Sequence, residues 1–203
     1  MSFYLIDDLE QGTEAWRSWR KRVIGASDAP TIMGENPWSE PDYLLREKLG
    51  RVAEFKGNAA TREGHALEGE ARRKASSYIG INFYPSIIQD GAHPFLAASL
   101  DGISSDASNI LEIKSGAKSY AFTEKTGQIP DYYYAQLQHM LMISGLSSLY
   151  YASYRPYEEL IVLEVGRDDS YINVMLKSEL QFVRRLESHG HNMQKKFRGK
   201  KAN

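Results

Sequence analysis

The stretch from Ser99 to Lys114, SLDGISSDASNILEIK, constrains this chain more than any other. Asn109 to Ser115 reads as a short strand with apolar Ile110, Leu111 and Ile113. Successive strand side chains alternate faces, so Glu112 and Lys114 point the same way, roughly 7 Å apart at about 3.3 Å of rise per residue. Asp101 lies eleven positions before Glu112, in what reads as an Asp-Gly turn. A turn or an adjacent strand carrying Asp101 would bring a second carboxylate beside Glu112. Two carboxylates so placed repel each other and favour a divalent cation between them.

Oxygen-only ligation of this kind suits magnesium, which keeps several waters and takes few protein carboxylates. The carbonyl of Ile113 would add a ligand. Such an ion lowers the pKa of a bound water and stabilises charge on a phosphate. Lys114 would orient or deprotonate that water, or hold the phosphate. The pattern therefore points to metal-dependent phosphodiester hydrolysis. Asp-Gly is also a common turn and Glu-x-Lys a common exposed strand pair. A glycosidase would draw on two carboxylates as well.

The 203 residues suit one domain. Apolar content of 42% supports a proper core. Without cysteine there are no thiolate metal sites, iron–sulfur clusters or disulfides, which fits a reducing cytoplasm. No stretch is apolar enough to span a membrane, and MSFYLIDDLEQG lacks the basic start and cleavage site of a secretory signal. The net charge of −1 differs from the strongly basic balance of many nucleic-acid binders. Positive charge confined to a channel would suffice. Basic residues do cluster, at Arg17, Arg20, Lys21 and Arg22 and again at Lys195, Lys196, Arg198, Lys200 and Lys201. The second cluster reads as a solvated, frayed tail.

Along the chain, Thr13 to about Val23 reads as a helix, and Ser27 is placed to cap a short helix through Met33. Ser39 to about Leu49 is a further helix, residues 51–60 a loop, and Thr61 to Ile79 a long helix ended by Gly80. Strands are expected at Ile81–Gln89, Phe95–Ser99 and Asn109–Ser115. A helix should run from Pro130 to about Ser144, a hairpin over Leu149–Tyr154 and Glu159–Val165, and a closing helix from Asp168 to about His189. The fold class is α/β, a central mixed β-sheet flanked by helices. The expected organisation is a single domain: a helical part at about 1–80, a sheet core at about 81–165, and a helix with a basic tail at 166–203.

Outside the opening segment, Glu68 lies among Glu63 and Glu70 on the long helix, a pattern that also fits an acidic face paired with Arg72, Arg73 and Lys74. Gln136 and Gln138 are two apart and cannot share one helical face, so one should point toward the sheet. His139 reads as a surface or packing histidine. Ser27 follows Gly25-Ala26 at a helix start, with Arg20 and Arg22 upstream, a setting that can grip a phosphate as readily as it can cap.

Five segments, WRSWRKRVIGASDA, GHALEGEARRKASSYIG, HPFLAASLDG, LEIKS and IPDYYYAQLQHMLMISGL, occur in this order over about residues 10 to 165. In sequence and spacing they resemble the phage lambda exonuclease family, the YqaJ-type viral recombinase nucleases, within the PD-(D/E)xK nuclease superfamily. The resemblance implies that Asp101, Glu112 and the Ile113 carbonyl bind metal and that Lys114 is the catalytic lysine. It places Glu68 and Gln136 beside them, and it gives Arg20 and Ser27 the 5′-phosphate at a recessed DNA end, with Trp16 close by. Leu100 stands where the superfamily motif has proline.

The implied activity is a 5′-to-3′ exonuclease on linear double-stranded DNA, using two Mg2+ ions per site with Mn2+ able to substitute. It would release mononucleotides and leave a 3′ overhang for recombination. The family also implies a homotrimer ring around DNA, a single-strand annealing protein as partner, and the cytoplasm of a bacterial host. An endonuclease or resolvase on the same fold, and a non-catalytic DNA-binding module, stay open as alternatives.

Overall fold

The computed structural model describes residues 3–53, 57 and 59–202. Its first elements are β1 (Phe3–Leu5), α1 (Glu14–Arg20) and β2 (Ile24–Gly25). Thr13 caps α1 by accepting from the Trp16 amide. A 3₁₀ turn at Ala26–Asp28 leads into α2 (Ala29–Ile32). Ser27 lies inside that turn and does not cap the helix. Asp28 stands at the N-cap of α2 without a side-chain cap bond; its Oδ2 instead accepts from the Gly25 amide at 2.8 Å and closes the turn. The aspartate is buried and the serine exposed.

Next come α3 (Pro41–Lys48) and the long α4 (Ala59–Ile79). Within the segment read as a loop at 51–60, residues 54–56 and 58 lie outside the described residues. The centre of the chain gives β3 (Phe83–Asp90), β4 (Leu96–Ser104) and β5 (Ile110–Lys114). It continues through α5 (Ala117–Thr126), α6 (Asp131–Ser144), β6 (Ser148–Ser153), β7 (Ile161–Gly166), α7 (Asp169–Ser188) and β8 (Lys200–Lys201).

The sheet runs β7-β6-β5-β4-β3-β1-β8, with β2 paired to β4 off this path. Most neighbours are antiparallel, and β5–β6 and β2–β4 are parallel. A parallel pair needs a crossover, and α5 with α6 supplies it. The long insertion between two strands is what demands α5, which no local pattern had suggested.

Helices cover both faces. Ile110 and β4's Leu100 join Leu137, Met140 and Leu141 of α6 and Phe182 of α7 in the main core. Leu111 and Ile113 face the other way, toward Ala71 and Ala75 of α4. Trp19 of α1 packs on Ile87 and Ala97 on that same second side.

The tail is not frayed. Lys200–Lys201 pairs with β1, Phe197 stacks on Tyr4 at 4.2 Å, and Arg198 meets Asp8 at 3.0 Å. A free strand edge at β1 offers amides and carbonyls that a passing chain can satisfy. Among the described residues no helix is long and apolar enough to cross a membrane.

Candidate active site

The strand β4 changes partners along its length. Its first half pairs with β2, at Ile24↔Leu96 and Gly25↔Ala97. Its second half pairs with β5, at Gly102↔Leu111 and Ile103↔Ile110. Ser99, Leu100 and Asp101 lie between the two ladders. Beyond Leu111 the strand β5 loses β4 as a neighbour, and the Ile113 amide is left to find another acceptor. Asp101 supplies it, its Oδ2 accepting that N–H at 2.7 Å. Asp101 is thus a strand residue at a fork, and the Asp-Gly pair is not a turn.

Gly102 has a different reason to be glycine: a Cβ there would lie 2.7 Å from the Phe83 Cβ and 3.3 Å from that of Leu111. The real turn comes later, where Asp106 accepts from the Ser104 hydroxyl and from Ser108.

Glu112 and Lys114 share the β5 face that looks toward α6. Glu112 is buried, and its Oε1 accepts from Lys114 Nζ at 2.6 Å and from Gln136 Nε2 at 2.7 Å. Lys114 also donates to Gln136 Oε1 at 3.1 Å, closing a three-membered ring of contacts. Its ammonium stands 4.5 Å from the Tyr133 ring centroid. Gln136 is therefore the glutamine that faces the sheet. Gln138 turns elsewhere, donating to the Gly166 carbonyl and accepting from the Asp168 amide, and so ties β7 to α7.

Burial pushes the Asp101 carboxyl well above the usual carboxylate range, and the charges of Glu112 and Glu68 push the same way. Lys114 and the Ile113 amide pull against this without prevailing. Burial lowers the Lys114 ammonium, but Glu112 and then Tyr133 and Asp101 outweigh it, so Lys114 stays protonated. The cluster is thus short of positive charge, which is the electrostatic setting of a cation site.

Its donor set is two carboxylates and the main chain at Ile113, a hard oxygen set of the size magnesium takes. Among the described residues no group of three or more His, Cys, Asp and Glu side chains is gathered closely enough to hold a metal. Glu68 does not complete such a group. It is paired with Arg72, and Arg72 also donates to the Asp101 carbonyl. That contact ties α4 to the fork. On the same acidic face Glu70 pairs with Lys74 and Glu63 with Arg155.

A cleft lies beside this cluster, lined by Arg20, Gly25, Ser27, Ala97, Ser99 and Gln136. Arg20 donates to the Ser27 hydroxyl at 2.8 Å and approaches Asp28 at 3.4 Å. Its guanidinium lies 5.1 Å from the Trp16 ring centroid, and the Trp16 indole N–H donates to Ser99 Oγ at 3.0 Å. Under this floor Lys48 holds Asp28 at 2.8 Å and the carbonyls of Val23 and Arg20. Gln136 and Ser99 connect the Arg20–Ser27 cleft to the carboxylates.

Four participants escaped the sequence reading as site members: Arg72, Tyr133, Ser99 and Lys48. Arg72 carried a signal in its spacing from Glu68. Tyr133 sat in the Tyr132–Tyr134 run, where the helix face was readable but the contact with Lys114 was not. Ser99 and Lys48 had no local signal. His139 is fully buried between Glu179, 2.7 Å from its Nδ1, and the Ala97 carbonyl, 3.1 Å from its Nε2.

A mixed, mostly antiparallel sheet flanked by helices is the fold of the PD-(D/E)xK nuclease class. Solved structures agree. An alkaline exonuclease from Laribacter hongkongensis, LHK-Exo, superposes with a TM-score of 0.76 at 25% identity, covering 87% of this chain and 94% of that one. Its complex with dAMP gives 0.74. A phage-related exonuclease from Haemophilus somnus 129PT shares the fold at 0.58 and 14% identity, over 83% of this chain and 96% of that one.

Residues 15–147, more than half of the chain, match the YqaJ-like viral recombinase domain, and the chain belongs to that family. The uncharacterized protein YqaJ of Bacillus subtilis (strain 168) is 29% identical over 185 residues, 88% of this chain. An uncharacterized protein of Acanthamoeba polyphaga mimivirus is 27% identical over 161 residues, 70% of this chain. The chain spans 57% and 28% of the lengths of these two curated relatives.

Proposed function

We propose that this chain is a magnesium-dependent 5′-to-3′ exonuclease. It digests linear double-stranded DNA from 5′-phosphorylated ends, releases mononucleotides and leaves a 3′ overhang for single-strand annealing. The observation that carries this reading is the position of Gln136. It lines the cleft that holds Arg20 and Ser27 and bonds both Glu112 and Lys114 of the carboxylate cluster. An enzyme that starts from an end must hold the end and cut one linkage away, and a cleft joined to the cluster through one side chain meets that need.

Asp101, Glu112 and the Ile113 carbonyl would hold Mg2+, two ions per site with Mn2+ able to substitute, which supplies a water of lowered pKa and charge neutralisation at the phosphate. Lys114, kept protonated by Glu112, Tyr133 and Asp101, presents positive charge to a non-bridging phosphate oxygen. Gln136 fixes the rotamers of Glu112 and Lys114. Arg20 and the Ser27 hydroxyl donate to the terminal phosphate, and Trp16 backs Arg20. Phosphate contacts carry no base information, so cleavage is tolerant of sequence.

Arg72 and Glu68 hold the Asp101 main chain at the fork. A homotrimer ring around the duplex and a single-strand annealing protein as partner extend the reading, and a ring would allow tracking without a strongly basic surface.

The test is a time course on end-labelled linear duplex with magnesium. Lys114→Ala and Asp101→Ala should each lose at least about 100-fold in rate, and wild-type rates from both would overturn the site. Equal rates from 5′-phosphate and 5′-hydroxyl ends would remove Arg20 and Ser27 from end recognition. Cutting of covalently closed circles would make the protein an endonuclease.

A further inference from the structure

Three aromatic side chains connect the protein surface to Lys114. Trp38 is 74% exposed, whereas Trp19 is buried and Trp16 half-buried. Its ring meets Tyr132 edge-on, with centroids 4.9 Å apart. Tyr132 meets Tyr133 at 4.5 Å, also edge-on, and Tyr133 carries the Lys114 ammonium. Every step is a ring contact, and the series ends on the group proposed to meet the scissile phosphate.

The loop that presents Trp38 is braced. Its amide donates to Asn36 Oδ1 at 2.9 Å, and Asn36 Nδ2 donates to Thr31 Oγ1 at 2.7 Å. The amides of Glu35 and Asn36 both donate to the Pro30 carbonyl, and the Tyr171 hydroxyl donates to Glu35 at 2.6 Å. A loop braced by five hydrogen bonds, carrying an indole that already packs on Tyr132, loses little further freedom on binding, which is what a preformed site requires. Lone exposed apolar residues need no explanation; a braced indole joined ring by ring to a candidate catalytic lysine does.

From this geometry, and resting on the nuclease reading above, we infer that Trp38 and Tyr132 form a stacking surface for unpaired nucleobases of the DNA strand whose phosphates reach Lys114. A single strand alternates phosphates with flat π-faces, so a site that grips it needs charge and rings in series. The ring series spans only a few base-stacking distances of about 3.4 Å. With a net charge of −1 the protein has little bulk attraction for DNA, and stacking supplies affinity that salt does not screen. Stacking on Trp38 would also hold bases apart from their complement beside the cleaved strand.

The experiment uses the full chain in EDTA, with a labelled oligodeoxythymidylate and a duplex carrying a mismatched end as probes. Binding should quench the exposed-tryptophan emission, and Trp38→Phe should lose that quench while keeping most of the affinity. Trp38→Ala and Tyr132→Ala should each bind roughly tenfold more weakly, with circular dichroism and melting unchanged for Trp38→Ala.

Unaltered affinity in Trp38→Ala would overturn the inference. So would a change of oligomeric state in Trp38→Ala with per-subunit affinity intact, since the rings would then be a protein contact. Asp101→Asn should bind the oligonucleotide at least as tightly as wild type while losing hydrolysis. If wild type with magnesium shows no hydrolysis but stacking holds, the nuclease reading fails alone, and hydrolysis surviving in Asp101→Asn overturns the site assignment. If cleavage is lost there but Trp38 is silent, only the stacking surface fails.

Discussion

Replacing Lys48 with methionine tests how the end-binding cleft is held up. Lys48 and Asp28 have side-chain exposures of 6% and 9%, and their charges meet at 2.8 Å. The carbonyls of Val23, at 2.8 Å, and Arg20, at 3.2 Å, complete the lysine's shell. Methionine fills similar volume but leaves Asp28 charged and short of a partner. Breaking a buried pair from one side costs about 3–5 kcal/mol. Arg20 at 3.4 Å and the Gly25 amide at 2.8 Å remain, so the lower end, about 3 kcal/mol, is expected. For a chain of this size that lowers Tm by roughly 6–12 °C.

The pH dependence follows from the same pair. Burial raises the Asp28 pKa, but Lys48 and Arg20 outweigh it and hold the carboxyl below its ordinary value. A depressed folded pKa means the contribution is fully present above the unfolded value of about 3.9 and is lost as pH falls through the folded one. Denaturant melts at pH 7 and at acid pH should therefore show the Lys48→Met penalty at the first and little of it at the second. The double variant Asp28→Asn/Lys48→Met should be more stable than Lys48→Met alone, with a coupling of at least about 1 kcal/mol. Additive single effects, or a Lys48→Met loss under about 1 kcal/mol, would refute the account. The same variant should blunt the preference for 5′-phosphate ends, because the Gly25–Asp28 turn that carries Ser27 loses its floor.

Two further outcomes follow from the charged groups. The raised Asp101 pKa means its favourable contribution is complete below the unfolded value and lost as pH rises through the folded one. Asp101→Asn in EDTA at pH 8 should therefore melt higher than wild type, with the difference vanishing in acid; added magnesium should stabilise wild type and leave the variant unmoved. A lower-melting variant at pH 8 would contradict this. For His139, burial lowers the pKa but the Glu179 carboxylate outweighs it, and both ring nitrogens face acceptors. Its folded pKa lies above the ordinary value, so its contribution is full below about pH 6.5 and lost as pH rises through the folded value. Denaturant melts from pH 6 to pH 9 should show a decline that His139→Gln/Glu179→Gln lacks; identical pH profiles would rule the pair out.

Much of the fold was legible because its signals are local. The period of 3.6 marked α1, α4, α6 and α7, and the glycines after α3, α4 and α6 marked their ends, with Gly50, Gly80 and Gly145 at φ of +69°, +79° and +72°. Short apolar runs marked the strands β3, β5, β6 and β7 and the first part of β4. The short strands β1, β2 and β8 were missed because three residues or fewer carry no period. Asp-Gly at 101–102 misled because a glycine required by crowding against Phe83 looks in sequence like one required by a turn. The tail misled because its charge was visible and the open edge of β1 was not.

The chain by itself determined that Glu112 and Lys114 share a face, since strand geometry permits nothing else. It also determined that Gln136 and Gln138 part company, since helix geometry forbids the alternative. Everything that joins distant segments was decided by the tertiary structure. Asp101 reaches Glu112 only because β4 forks and leaves the Ile113 amide open. Gln136 bonds Glu112 and Lys114 only because the β5–β6 crossover lays α6 over that strand. Trp38 meets Tyr132 only because α2 and α6 pack on the same side of the sheet. Periodicity is a property of neighbours along the chain, whereas these contacts follow from burying two faces of one sheet at once.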